Sequence, residues 1–370
     1  MLDFTSSLYL GLRHPAGSLK PWQNLTTGAP SALTEPAASR LAANTLARLQ
    51  GCDRGLLAPS TLHLFWDLFG ILGRGPTVIY MDAGIYPIAR WGIERAAGRG
   101  IRVVEFPHHD PRALRRHLLR NKRRNTRPLI VTDGFCPACG APAPVGEYLA
   151  CAGNNDGLLI IDDTQSLGIL GHSPGKAAPY GKGGGGVLRW SGASGPNIIM
   201  ISSLAKGFGV PMAALSGSRE MIGLFEERSE TRVHCSQPST ATVHAALHAI
   251  EVNTQSGDEL RLRLARLVSR FRSGLKLSGF STTGGLFPFQ TLAPDPEIDT
   301  VSTHEHLLRR GVKAVLHNGG RGKVPRLSFI VTARHAPAEI DRAVDLLNHA
   351  TGEKRPGQRY GREYGTVVQV

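Results

Sequence analysis

Short apolar runs, each followed by a stretch of helical pattern, constrain this chain more than any other feature. Val78 to Asp82, Arg102 to Phe106, Pro128 to Thr132, Leu158 to Asp162 and Asn197 to Ser202 read as strands that are mostly apolar on both faces. Strands of that kind, separated by crossover helices, build a largely parallel sheet covered on either side. With 370 residues, 41% of them hydrophobic, the chain can form one large α/β domain and a smaller one. Helices are expected near Ser39 to Gln50, over Thr61 to Leu72, and after Asp110-Pro111, where the aspartate caps and the proline opens the first turn. Leu114, Leu118 and Leu119 supply the apolar stripe of that last helix. A long helical stretch begins at about Pro238 and runs through Glu259 to Leu275. Strands at Val312 to Leu316 and Leu327 to Val331, with a helix from Pro337 to Asn348, make a small C-terminal lobe. The expected division is an N-terminal segment over 1–45, a large domain over 46–245, a small α+β domain over 246–351 and a tail over 352–370. The first segment is expected to wrap the surface, the glycine-rich stretch Lys176 to Pro196 to form a mobile loop, and the tail to be disordered.

Two polar features interrupt this apolar scheme. Lys206 follows the run ending at Ser202 and precedes Gly207-Phe208-Gly209, so it stands just past the end of a buried strand. Ligands of α/β sheets bind at that edge. Desolvation there favours the neutral amine that Schiff-base chemistry requires. An exposed loop lysine fits the same stretch. Asp162-Asp163 ends the run Leu158 to Ile161, and a carboxylate so placed needs a cation or a donor. A turn or capping role fits Asp162 taken alone. Taken with Lys206, it fits the carboxylate that pairs with the pyridine nitrogen of pyridoxal phosphate.

Six segments in register resemble one family. Asp3-Phe4-Thr5-Ser6-Ser7-Leu8-Tyr9-Leu10-Gly11-Leu12 is similar to an opening "NYLGL", Phe106 to Asp110 to "F-x-H-N-D", and Thr132-Asp133-Gly134 to "TEG". Asp162-Asp163-Thr164-Gln165 is similar to "DDAH", Ser203 to Gly209 to "T-x-x-K-G-F-G", and Ser236-Gln237-Pro238 to "S-x-P-P". The chain thus resembles the fold-type I pyridoxal phosphate enzymes, most closely the α-oxoamine synthases. The resemblance implies a mainly parallel seven-stranded sheet and pyridoxal 5'-phosphate as cofactor. It implies Lys206 as the Schiff-base lysine and the base at Cα, with Asp162 as the partner of the ring nitrogen. Tyr86 takes the place of a ring-stacking histidine, and a core tyrosine is the plainer reading of it. Ser60 and Thr61, at a helix start, and Ser203 match phosphate contacts; Ser60 and Thr61 are equally ordinary caps. Ser236 matches a position contributed across a dimer interface, so a homodimer is implied.

Departures from the family pattern concern substrate handling. Gln165 replaces a histidine; it can donate a hydrogen bond but cannot titrate. Pro137 replaces a serine and offers no donor. Arg326-Leu327-Ser328 keeps the first of two alternating arginines, leaving Arg326 as the substrate-binding residue and losing the second clamp at Ser328. No glycine-rich segment of the family's N-terminal kind is recognisable around Thr27 to Glu35.

The formal net charge of +14 raises the question of an acidic partner. Arg115-Arg116-His117 and Arg120-Asn121-Lys122-Arg123-Arg124 fall on the outer face of the helix after Pro111, which reads first as a solvated face. An acidic acyl-carrier protein is the alternative. No nucleic-acid motif is present, and nucleic acid is not expected as a partner. No apolar run reaches the roughly 20 residues that cross a bilayer, and no secretion signal is recognisable, so a cytoplasmic location is expected. Cys136-Pro137-Ala138-Cys139 has metal or redox spacing but no second Cys/His pair nearby, so ordinary thiols are expected and no metal. The expected function is generation of an amino-acid-derived carbanion for carbon–carbon bond formation with an acyl thioester of CoA or a carrier protein, with loss of carbon dioxide, or a diverged biosynthetic variant. An aminotransferase is the runner-up, and a basic nucleic-acid-binding regulator on the same fold comes last.

Overall fold

A computed structural model describes residues 1–121, 126–296, 298–317 and 324–352. The expected tail beyond Gly352 and the basic run Lys122 to Arg124 lie outside the described residues. The chain divides into two units. One holds Leu12–Cys136 and Pro142–Asp258, the other Met1–Gly11, Pro137–Ala141 and Glu259 onward. The boundary between Asp258 and Glu259 falls within the helix Thr240–Leu277.

The larger unit is built on seven strands. They are β1 (Arg54–Ala58), β2 (Thr77–Asp82), β3 (Arg102–Phe106), β4 (Arg127–Asp133), β5 (Leu158–Asp162), β6 (Ile198–Ser203) and β7 (Ala213–Gly217). Their order across the sheet is β1-β7-β6-β5-β4-β2-β3. Neighbours from β6 through to β3 are parallel, and β7 alone runs antiparallel to both its neighbours. The sheet is therefore the mainly parallel seven-stranded one expected.

Side chains alternate between the faces with period two, so one strand feeds two cores. Ile79, Met81, Leu158 and Ile160 point to a core formed with the helices α2 (Thr61–Leu72) and α3 (Pro87–Gly98) on one side, where Leu64, Phe65, Leu68 and Ile93 are buried; α1 (Ala37–Gln50) lies outside that core, with its Gln50 bonded to Ser202 and Ser216. Val78, Tyr80, Leu159 and Ile161 point the other way, onto Leu114 and Leu118 of α4 (Pro111–Arg120) and Tyr148 of α5 (Val145–Gly153). Asp110 caps α4 by accepting from Ala113 N at 2.8 Å. Leu119 departs from its expected place in the stripe: it is 68% exposed, because it lies one position beyond the i, i+4 pair Leu114 and Leu118. Ala113 is the third buried residue of α4.

The glycine-rich stretch is packed, against the expectation of a mobile loop. His172 and Lys182 exchange backbone hydrogen bonds of 3.0 and 2.8 Å, and Gly186 N donates to Leu170 O at 2.7 Å. Tyr180, Val187 and Leu188 are buried. The glycines serve close approach here. Gly186 has φ of +86°, and a Cβ on it would run into the Asp163 carboxylate.

In the smaller unit four antiparallel strands form a second sheet. In chain order they are β8 (Thr282–Thr283), β9 (Phe289–Leu292), β10 (Val315–His317) and β11 (Arg326–Ile330), arranged β8-β9-β11-β10. The strand expected from Val312 to Leu316 is broken in two, since Val312–Lys313 pairs instead with Leu2–Asp3. Phe4, Phe271 and Phe329 are fully buried, and the His335 ring stacks on Phe4 at 4.3 Å. The first residues thus enter a core instead of wrapping a surface, because Phe4, Tyr9 and Leu10 are too apolar to stay wet.

Candidate active site

Three neighbouring strands of the large sheet end in carboxylates at the same edge: β2 in Asp82, β4 in Asp133 and β5 in Asp162. The parallel register sets Asp133 beside Asp162. Asp162 is 5% exposed and accepts from Thr164 N at 3.0 Å. Burial pushes its pKa up, although the Thr164 bonds and the charge of Lys206 pull the other way. Asp133 accepts from Tyr86 N at 3.1 Å; burial and the Asp162 charge hold its pKa well above the carboxylate range.

Lys206 stands three residues past the end of β6. Burial lowers its pKa, against the attraction of Asp162 and Asp133. Its Nζ lies 5.6 Å from the centroid of the Tyr86 ring. Tyr86 immediately precedes α3 and is 40% exposed, so it is not the core tyrosine of the plainer reading. Thr164 binds the two strand ends together, since its Oγ1 accepts from Ser203 N at 2.9 Å. Gln165, next in the chain, is half-buried.

Ser60 precedes α2 in extended backbone and makes no side-chain cap to the helix. Its Oγ lies 2.9 Å from His63 Nδ1 instead. The first turn of α2, including Thr61, carries no acidic residue, so its backbone N–H groups remain available to an anion. Ser236 is exposed and bridges to Pro30 through the backbone. Arg326 belongs to the smaller unit, where it opens β11 half-buried opposite His317. Ser328 is fully buried and holds Thr291 Oγ1 at 2.8 Å and His317 Nε2 at 2.9 Å. The position of the missing arginine is thus taken up by an internal polar contact.

A model of aminotransferase class I and II matches residues 73–347. The chain belongs to that family. Among curated members, it is 27% identical over 250 residues to the 8-amino-7-oxononanoate synthase of Alcanivorax borkumensis, covering 67% of this chain and 61% of that one. The same synthase from Citrifermentans bemidjiense is 30% identical over 247 residues, covering 65% and 60%. The chain therefore spans about three fifths of the length of these relatives. Among solved structures, the serine palmitoyltransferase of Sphingomonas wittichii superposes with a TM-score of 0.80 at 16% identity, covering 95% of this chain and 88% of that one. The 8-amino-7-oxononanoate synthase of Francisella tularensis gives 0.71 at 16%, covering 95% and 98%. The architecture is that of fold-type I pyridoxal phosphate enzymes, and pyridoxal phosphate is the cofactor of the family.

The residues present fit that cofactor. Asp133 and Asp162 are both raised by burial and have Lys206 as the cation they share, so one more positive charge beside them would be favoured. A protonated pyridine nitrogen would supply it. The open helix start of α2 would suit its phosphate.

Two groups at this edge escaped the sequence reading. Asp82 is 1% exposed: Oδ1 accepts from Gly84 N at 2.8 Å and lies 2.7 Å from His108 Nδ1, while Oδ2 accepts from His109 N at 3.0 Å and Tyr148 OH at 3.2 Å. Burial opposes its charge, yet the His108 and backbone bonds outweigh it and lower the pKa. Asp163 is fully buried and accepts from Ser166 Oγ, from Val187 N at 3.1 Å and from Gln50 Nε2 at 3.4 Å, which pins the glycine-rich stretch to α1; burial pushes its pKa up to about 7. The available signal for Asp82 was repetition, an aspartate closing three of the four strands from β2 to β5, with β3 ending in Phe106 instead.

Proposed function

We propose that this chain is a pyridoxal-phosphate-dependent acyltransferase that joins an amino acid, at Cα, to the acyl group of a thioester with loss of carbon dioxide. The observation that carries the reading is a desolvated lysine with a buried and a half-buried carboxylate beside it at the carboxyl ends of parallel strands. When bound, pyridoxal phosphate supplies an electron sink for negative charge developing at Cα. Lys206, with its lowered pKa, is able to take and return a proton at that carbon. Asp162 holds the charge that keeps a ring nitrogen protonated, and Tyr86 offers a flat face above the lysine. The N–H groups at Ser60 and Thr61, with Ser203, would hold the phosphate. Gln165 is suited to orient by hydrogen bonding and not to move a proton. Arg326 is the candidate for the substrate carboxylate, and a homodimer in the cytoplasm, with exposed Ser236 reaching a partner copy, completes the reading.

Borohydride reduction of the cofactor-loaded protein, followed by peptide mapping, tests it. A pyridoxyl mass on Lys206 is expected, absent in Lys206→Ala. The reading fails if the mass maps elsewhere or nowhere. Transamination is the competitor, because the family includes it. Acyl transfer is favoured because the curated relatives are named as 8-amino-7-oxononanoate synthases. Stoichiometric conversion of the cofactor to its amine by an amino donor, without thiol release from an acyl thioester, would reverse that preference.

A further inference from the structure

The chain Asp82–His108–Cys136 is not used in the function proposed above. Cys136 follows β4 by three residues and is 9% exposed. Its side chain is hydrogen-bonded to His108, whose Nδ1 is 2.7 Å from Asp82 Oδ1. Asp82 cannot turn away. Gly84 N and His109 N donate to its two oxygens, and Tyr148 OH donates to the second. His108 is fixed from the other side as well, with its ring stacked on His109 at 3.8 Å. A Cβ at position 84 would strike the His108 ring, so only glycine there admits the imidazole. A nucleophile bonded to a base, with the base oriented by a buried carboxylate, is the arrangement that activates a weak nucleophile.

The electrostatics agree with the geometry. The bond to Asp82 first, and the bond to Cys136 second, push the His108 pKa up to about 10. The imidazole therefore carries its proton at neutral pH and favours the thiolate beside it. Cys136 also acts on Asp133 electrostatically, and Asp133 on Lys206, so the thiol borders the same group of charges as the lysine.

We propose that Cys136 is a covalent acyl carrier, accepting the acyl group of a thioester substrate and delivering it to the carbon nucleophile of the second substrate. In the first step the Cys136 thiolate attacks the thioester carbonyl. A bond forms between Sγ and the acyl carbon, the bond from that carbon to the departing sulfur breaks, and His108 gives its proton to the departing thiolate. In the second step the substrate carbon attacks the same acyl carbon. The carbon–carbon bond forms, the bond to Sγ breaks with Sγ leaving as thiolate, and His108 regains a proton from water. No oxidant or reductant is needed. The second step rests on the acyltransferase reading, and the first does not.

The test uses protein loaded with pyridoxal phosphate and hexanoyl-CoA as the probe, with no amino acid present. Acid quench and peptide mapping should find one hexanoyl group on Cys136, with a matching burst of free thiol, removable by neutral hydroxylamine. Cys136→Ser should carry none under the same conditions. His108→Gln should acylate at least 10²-fold more slowly, the usual effect of losing a positioned acid–base group. Iodoacetamide provides a reading independent of substrate binding: Cys136 should alkylate faster than half-buried Cys235 in the same molecule, which has no part in the His108 cluster. Absence of hexanoyl on Cys136 in the unsubstituted protein overturns the proposal, as does faster alkylation of Cys235. The borohydride experiment on Lys206 is unaffected by either outcome, so failure of the thiol and failure of the cofactor reading are told apart.

Discussion

Asp162→Asn should move cofactor affinity and protein stability in opposite directions. The substitution keeps the shape, and an amide oxygen can still accept from Thr164 N. It removes one of two neighbouring carboxylates, both already raised by burial. A hydrogen bond to a charged group contributes roughly 1.5–3 kcal/mol. Losing it to the pyridine nitrogen should weaken pyridoxal phosphate binding by about 10- to 150-fold. Without cofactor the balance reverses, because the site no longer holds two like charges away from water. A gain of about 1 kcal/mol is expected from the relieved desolvation and repulsion, or about 1–2 °C in Tm for a chain of 370 residues. Cofactor titration by absorbance and thermal unfolding of the cofactor-free protein measure the two halves. An unchanged Kd, or a cofactor-free protein destabilised by more than about 1 kcal/mol, would refute the assignment of Asp162 as the carboxylate awaiting a cation.

Three further outcomes follow from packing and charge. Gly186→Ala places a Cβ against Asp163 at a backbone conformation natural only to glycine; a loss of about 2–4 kcal/mol in denaturant unfolding is expected, and a neutral result would contradict the packed stretch. Phe271→Ala, in the cluster with Phe4 and Phe329, should cost about 3–5 kcal/mol in the smaller unit, checked by an earlier calorimetric transition. His108 has a folded pKa raised to about 10, so its stabilisation is complete below about pH 6.5 and is lost as pH rises through 10. Its side chain is 28% exposed, and screening trims the effect to about 1–2 kcal/mol. Denaturation midpoints should therefore fall between pH 7 and 10, and His108→Gln should flatten that slope.

The parallel strands were legible because their partners lie close in the sheet and their apolar runs are long; β3 and β5 begin and end as expected. β1 and β7 were not. Ala213-Ala214-Leu215-Ser216-Gly217 has little β propensity of its own, and it becomes a strand by pairing on both sides. Lys206 and Asp162 stood out because polar groups ending apolar runs break a pattern. Asp82 was read as a strand end only, since its partners His108 and Tyr148 come from two separate segments that folding alone brings to it. The glycines of 183–186 looked like slack because glycine marks both loose chain and tight contact, and only the Asp163 carboxylate decides between them.

The position of β7 also dictates a timetable. β1 has no neighbour on either side until the chain has run as far as Ala213, since β7 is its sole companion in the sheet. On the ribosome, Leu56, Leu57 and Ala58 must wait as an open edge while the strands between are made and paired. Ser60, just beyond that edge, cannot reach its final place earlier. The helix start proposed to hold the phosphate is thus among the last parts to be assembled, and a nascent chain halted before residue 213 would be prone to stick to its neighbours.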